Sequence, residues 1–194
     1  MMKVISLGVG VQSTAMYLMS SMGRIDRADH AVFADPGAES PKTYEILQYL
    51  QDWAKSNDGI PIHVTSEKNL YKDLLKGTNS TGQQFAGIPA FTENNGMLRR
   101  QCTSEYKIKP VVQSIRKLHG LLPRKRMPMT QVWLGISLDE IERMKISQLP
   151  RIEYVYPLIE KRMSRSDCIK FFKEIDFPVP PKSSCVFCPY YDNK

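Results

Sequence analysis

The stretch Lys3-Val4-Ile5-Ser6-Leu7-Gly8-Val9-Gly10-Val11-Gln12-Ser13-Thr14 decides the fold. A short β-branched run feeds a glycine-rich turn, and the turn opens a helix over residues 13–22. Ala15, Met16, Leu18 and Met19 form the apolar side of that helix. The same alternation continues outward. Residues 31–34 predict a second strand, which ends at Asp35-Pro36-Gly37. Residues 41–53 predict a helix, with Ser40 as N-cap, Pro41 at the first helical position, and Tyr44, Leu47, Leu50 and Ala54 at helical spacing. Further strands are predicted over residues 60–64 and 132–134, and further helices over 70–75 and 164–173, the last capped by Ser164. This βαβα order predicts an α/β, Rossmann-like parallel sheet with helices on both faces. The expected organisation is a nucleotide-binding domain over residues 1–160. A C-terminal helix and a Cys-x-x-Cys segment over 161–194 are expected to pack on the same domain.

Composition excludes several classes. The chain has 194 residues, 42% of them hydrophobic and 24% charged, with a formal charge of +7. That is ordinary globular composition, not that of a disordered chain. No run of 18 apolar residues is present, so no transmembrane helix and no membrane partner are expected. Ser6, Gly8 and Gly10 break the N-terminal apolar stretch, which argues against a signal peptide. A cytoplasmic location is expected. Four cysteines are too few for a disulfide scaffold, and Cys185 and Cys188 have a spacing that suits a metal or redox pair. Nothing in the sequence sets an oligomeric state.

In a parallel sheet, ligands bind beyond the carboxyl ends of the strands. Three loops fall there: residues 6–14, 35–39 and 135–140. In the first, Gly8 and Gly10 let backbone approach a phosphate, and Ser13 and Thr14 add hydroxyls at a helix N-terminus. It is neither a Walker A loop nor a G-x-G-x-x-G fingerprint. The bland alternative is a tight turn without a ligand. Asp35 and Glu39 in the second loop place carboxylates where ribose hydroxyls, an adenine amine or a metal would lie, or they merely shape an Asp-Pro-Gly turn. Residues 77–95 are rich in Gly, Asn, Thr, Ser and Gln, the composition of a lid or binding loop.

The three loops carry a resemblance. Residues 6–14 resemble the S-x-S-G-G-K-D-S-T pyrophosphatase loop of the adenine nucleotide alpha hydrolase (PP-loop) superfamily. Ser6, Gly10, Ser13 and Thr14 match, while Val9 replaces a Gly, Val11 the Lys and Gln12 the Asp. Residues 35–43 resemble the D-T-G-x-E-x-P-E-T segment of the phosphoadenosine phosphosulfate (PAPS) reductase family through Asp35, Gly37, Glu39 and Thr43. Residues 135–143 resemble its G-[IL]-R-x-[DE]-[ED]-S-x-x-R segment through Gly135, Ile136, Asp139 and Glu140. Ser137 stands in place of an Arg there, and Arg143 lies one position early. The run Arg99-Arg100-Gln101-Cys102-Thr103 with Tyr106-Lys107-Ile108, and the run Pro178 to Pro189 with Lys182-Ser183-Ser184-Cys185, resemble the phage and prophage members of that family most.

The resemblance implies an adenine nucleotide, ATP or a relative with magnesium, on Ser6, Gly8, Gly10, Gln12, Ser13, Thr14, Asp35, Gly37, Glu39, Gly135, Ile136 and Asp139. It implies Cys102, Asp35 and Arg143 as catalytic groups, and Cys102, Cys185 and Cys188 as ligands of a four-iron cluster, with zinc as the alternative. Thr103 replaces the second cysteine of the family's pair, so a three-thiolate centre has an open position unless Cys168 fills it. Cys168, within a helix, reads as core. The assimilatory reductases carry a catalytic cysteine in a C-terminal tail, whereas this sequence ends six residues beyond Cys188. With Ser137 in place of Arg, that turns the expectation from a reductase towards ATP-dependent adenylation and sulfur transfer. A non-catalytic nucleotide- or nucleic-acid-binding protein is the alternative.

The charge is uneven. Between Arg99 and Arg126 there are nine Lys or Arg and one acidic residue, Glu105. Arg99, Arg100 and Lys107 are the expected phosphate-gripping cations, and they would also lower the pKa of Cys102. A second cluster is Lys161, Arg162 and Arg165. Such a surface suits a nucleotide, a nucleic acid acceptor or plain solvation.

Overall fold

Neighbouring residues on each central strand face opposite ways, and both faces are buried. Ile5, Phe33 and Trp133 enter one core cluster; Val4, Val32 and Val132 enter a second. Strands apolar on both sides belong to a sheet covered by helices twice over. The computed structural model, which describes residues 1–66, 68–77 and 101–188, has that architecture. Strands β1 (Met2–Ser6), β2 (His30–Ala34), β3 (Ile62–Thr65), β4 (Thr130–Leu134) and β5 (Ile152–Val155) form one parallel sheet in the order β3-β2-β1-β4-β5. Ser6 pairs with Val32 on one side and with Leu134 on the other.

Helices α1 (Val11–Ser21), α2 (Pro41–Ser56) and α6 (Arg165–Glu174) cover the first face, where Ala15, Leu18, Leu47, Leu50, Phe171 and Phe172 join the core. The second face is covered by α4 (Lys109–Leu118), through Val111 and Ile115. A five-residue π-turn, Ser104–Ile108, leads into α4. The shorter helices are α3 (Leu70–Lys76) and α5 (Pro157–Glu160), and a 3-10 segment, Leu138–Arg143, follows β4. Ser40 accepts from the Thr43 N–H at the start of α2. At α6 the Ser164 hydroxyl accepts from the Asp167 N–H, and Asp167 accepts from the Ser164 N–H. Among the described residues, no helix is long and apolar enough to cross a membrane.

The chain direction across the sheet reverses between β1 and β4. From β1 the chain steps outward through β2 to β3, then returns to place β4 and β5 on the other side. The loops after β1 and β4 therefore part at their carboxyl ends and leave a crevice, the usual ligand position in such sheets. The expected phosphate-gripping Arg99 and Arg100, and all but the start of the expected 77–95 loop, lie outside the described residues.

Candidate nucleotide-binding cleft

A cleft of about 680 Å³ opens at that reversal point. Ser6, Gly8, Gly10, Gln12 and Ser13 line one wall; Gly135, Ile136, Glu140 and Arg143 line the opposite wall. The walls touch at their base. A Cβ added to Gly135 would lie 2.6 Å from the Ser13 backbone nitrogen, so only glycine lets the β4 loop close on the first turn of α1.

The glycine-rich turn is held from within. The Ser13 hydroxyl accepts from the Gly8 and Gly10 N–H groups at 3.2 and 3.3 Å, and lies 3.3 Å from the Gly10 carbonyl. Val9 takes a left-handed φ of +56°, unusual for a β-branched residue, and its side chain is fully buried in the core. Val11, in place of the motif lysine, is buried and lines the base of the cleft without bringing a charge to it. Thr14 is fully buried and does not line the cleft.

Gln12 spans the crevice. Its amide nitrogen donates to Glu140 Oε2 at 3.2 Å and to the Ser137 hydroxyl at 3.4 Å. Its carbonyl accepts from the Arg165 guanidinium at 3.3 Å. Arg143 is 60% exposed and closes a 2.6 Å ion pair on Glu140. Asp139 accepts the Arg165 backbone N–H at 2.9 Å. Burial pushes the Asp139 carboxyl up, but hydrogen bonds from Ser137 and the Arg165 backbone outweigh it and leave the pKa lowered.

Asp35 and Gly37 do not line the cleft. Asp35 accepts from the Gly37 N–H and from the Tyr44 hydroxyl, both at 2.7 Å. Burial first, then the hydrogen bond to Asp35, raises the Tyr44 pKa. Gly37 has a φ of +69° and packs on the Asn69 side chain. Glu39 does not line the cleft either and is nearly inaccessible. Its carboxylate holds Lys107 at 2.7 Å, the Ser183 hydroxyl stands 3.4 Å away, and its backbone bridges antiparallel to Cys185.

That bridge draws the C-terminal segment onto the cleft. Lys182, Ser183, Ser184 and Cys188 line it together with Thr103 and Lys107 from the π-turn region. The Thr103 and Ser184 hydroxyls are buried and make no hydrogen bond among the described residues. Burial pushes the Cys185 thiol up to about 12, with Glu39, Cys102 and Cys188 acting in the same sense against Lys107. The three thiols are thus electrostatic neighbours. Among the described residues, however, no three His, Cys, Asp or Glu side chains gather closely enough to hold a metal ion. Cys168 stands apart, on the buried face of α6 in the core.

Arg165, Lys182, Ser183 and Ser184 belong to the cleft although the sequence did not single them out as ligand groups. Arg165 was visible only as part of a basic cluster, and the Ser183-Ser184 pair only as part of the cysteine run. No local spacing connects either with a loop more than 150 residues away.

No family model matches the chain, and no curated protein matches its sequence. Among solved structures, the fold is that of phosphoadenylyl-sulfate (PAPS) reductase from Candida auris, seen in a phosphate complex. The TM-score is 0.56 at 14% identity, over 92% of this chain and 74% of that one. At that identity the likeness defines the fold, a PAPS reductase-like α/β sheet.

Proposed function

We propose that this chain binds an adenine nucleotide in the cleft between the β1 and β4 loops and acts on it as a PAPS reductase-like enzyme, by adenylating an acceptor or by sulfonucleotide chemistry. The observation that carries this reading is the crevice at the sheet's reversal point. Glycine backbone lines one wall, cationic side chains line the rim, and Thr103 and Ser184, whose buried hydroxyls make no hydrogen bond among the described residues, line it too. The nucleotide is proposed to lie with its phosphates towards Gly8, Gly10 and Ser13. The PAPS reductase of like fold was solved with phosphate bound, which agrees with an anion in such a cleft. A nucleic acid acceptor is proposed because basic residues crowd the chain from Lys107 to Arg126.

A second reading, binding without turnover, is favoured by the phosphate loop itself. Val11 is buried and Gln12 is neutral, so the loop brings no charge of its own to a leaving pyrophosphate. The deciding experiment incubates the anaerobically purified full chain with ATP, or with PAPS and a dithiol as the two-electron reductant, with and without tRNA or duplex DNA. Pyrophosphate, AMP or sulfite release is expected. Nucleotide binding without any of these products selects the second reading, and no binding at all removes both.

A further inference from the structure

We propose that Arg165 is the residue that sets the cleft's preference for the length of the ligand's phosphate chain, and that Gln12 is the positioning residue that aims it. The inference rests on the nucleotide reading above. Arg165 enters the cleft from the first turn of α6, the helix packed beside α1, whose first turn carries Gln12. Its backbone N–H is fixed on Asp139 Oδ1 at 2.9 Å, so the side chain leaves from a pinned origin. Its guanidinium meets the Gln12 carbonyl at 3.3 Å and, among the described residues, has no carboxylate within ion-pair distance, the nearby Asp139 being held by the Arg165 backbone rather than by its side chain.

The other arginine on this rim is differently placed. Arg143 is closed on Glu140, so its charge is already answered. Gln12 binds both Glu140 and Arg165, and its neutral carbonyl orients the guanidinium without cancelling it. Gln12 also reaches the Ser137 hydroxyl. Arg165 therefore brings its charge to the neighbourhood of position 137, where a small neutral side chain stands. A guanidinium there, lining the same cleft as Gly8 and Gly10, fits the outer phosphates of a nucleoside triphosphate or another extended anion.

The test measures binding of adenosine, AMP, ADP and ATP to the full chain by calorimetry. Affinity is expected to rise along that series. Arg165→Met is expected to weaken ATP about tenfold to a hundredfold while leaving adenosine unchanged, so the series flattens. Arg165→Lys should retain part of the slope. Gln12→Met should weaken ATP less than Arg165→Met and add nothing in the Arg165→Met background, the non-additivity expected of one residue acting through another. Intact adenosine binding controls for folding. If Arg165→Met binds ATP as the parent does, the inference is overturned and the nucleotide reading stands. If the parent binds none of the four, both fall.

Discussion

Lys107 Nζ stands 2.7 Å from Glu39 Oε1, and burial across the pair is lopsided: the carboxylate side chain is 1% exposed and the lysine 37%. Removing the lysine strands a buried charge whose other neighbour is the Ser183 hydroxyl at 3.4 Å. Removing the carboxylate leaves an ammonium that still reaches water. Lys107→Met is therefore expected to cost about 3 kcal/mol, against about 1 kcal/mol for Glu39→Gln. Urea denaturation measures both. Equal costs, or the reverse order, would show that the pair does not carry this asymmetry.

The contact of Gly135 with the first turn of α1 is expected to be intolerant of a single methyl. Gly135→Ala places a carbon against backbone, which cannot rotate aside as a flexible side chain does. About 1–3 kcal/mol of stability should be lost, and the loops should separate. Nucleotide affinity should fall more steeply than stability. A variant that melts early yet binds ATP normally would place the ligand elsewhere.

Asp167 predicts an acid-sensitive step. Hydrogen bonds from the Ser164 hydroxyl and N–H, with Lys170 alongside, hold its carboxyl at about 2, below its ordinary 3.8. A group depressed on folding stabilises the native state above its unfolded pKa, and that contribution is lost as pH falls through the folded one. Stability should therefore drop between about pH 4 and pH 2, and Asp167→Asn should drop less over the same window. Thermal melts at stepped pH values test this, and parallel curves for the two proteins would refute it.

Cys168 is expected to be silent in the native protein. Burial pushes its thiol up to about 12, with Asp139 and Asp167 adding to the effect, so almost no thiolate is present at neutral pH. Alkylation followed by mass spectrometry should label Cys168 only at the rate of unfolding, and rapidly in urea. Fast native labelling would contradict its place in the core.

Much of the scaffold was legible because its signals are local. The β-branched runs of β1 and β2, the Ser40-Pro41 start of α2 and the Ser164 cap of α6 all stand where their own chemistry places them. Among the elements not read are α4 and β5. The α4 helix was hidden by its charge: Val111 and Ile115 share its buried face, but Arg116 and Lys117 made the segment look like a solvated basic stretch. The β5 strand, Ile-Glu-Tyr-Val, is short and lacks clean alternation, and it is completed by pairing with β4. The first and third loops were recognisable as cleft walls from their glycines and strand ends. Asp35 was expected to face a ligand, but its carboxylate accepts from its own turn and from Tyr44. Arg165 reaches the cleft through the return of α6 across the sheet, a tertiary arrangement with no sequence period behind it.

Val9 has a consequence for how the cleft meets a ligand. A left-handed valine costs about 1–2 kcal/mol, a strain that persists only where its surroundings overdetermine it. Here the isopropyl group is gripped by the core, so the turn is pulled from behind and its open side stays formed without a ligand. Binding then has little ordering entropy to overcome at this wall. A glycine at this position would accept the same φ freely but release the anchor, exchanging a preorganised rim for a supple one. The residue that departs from the familiar motif is thus the one that makes this rim stiff.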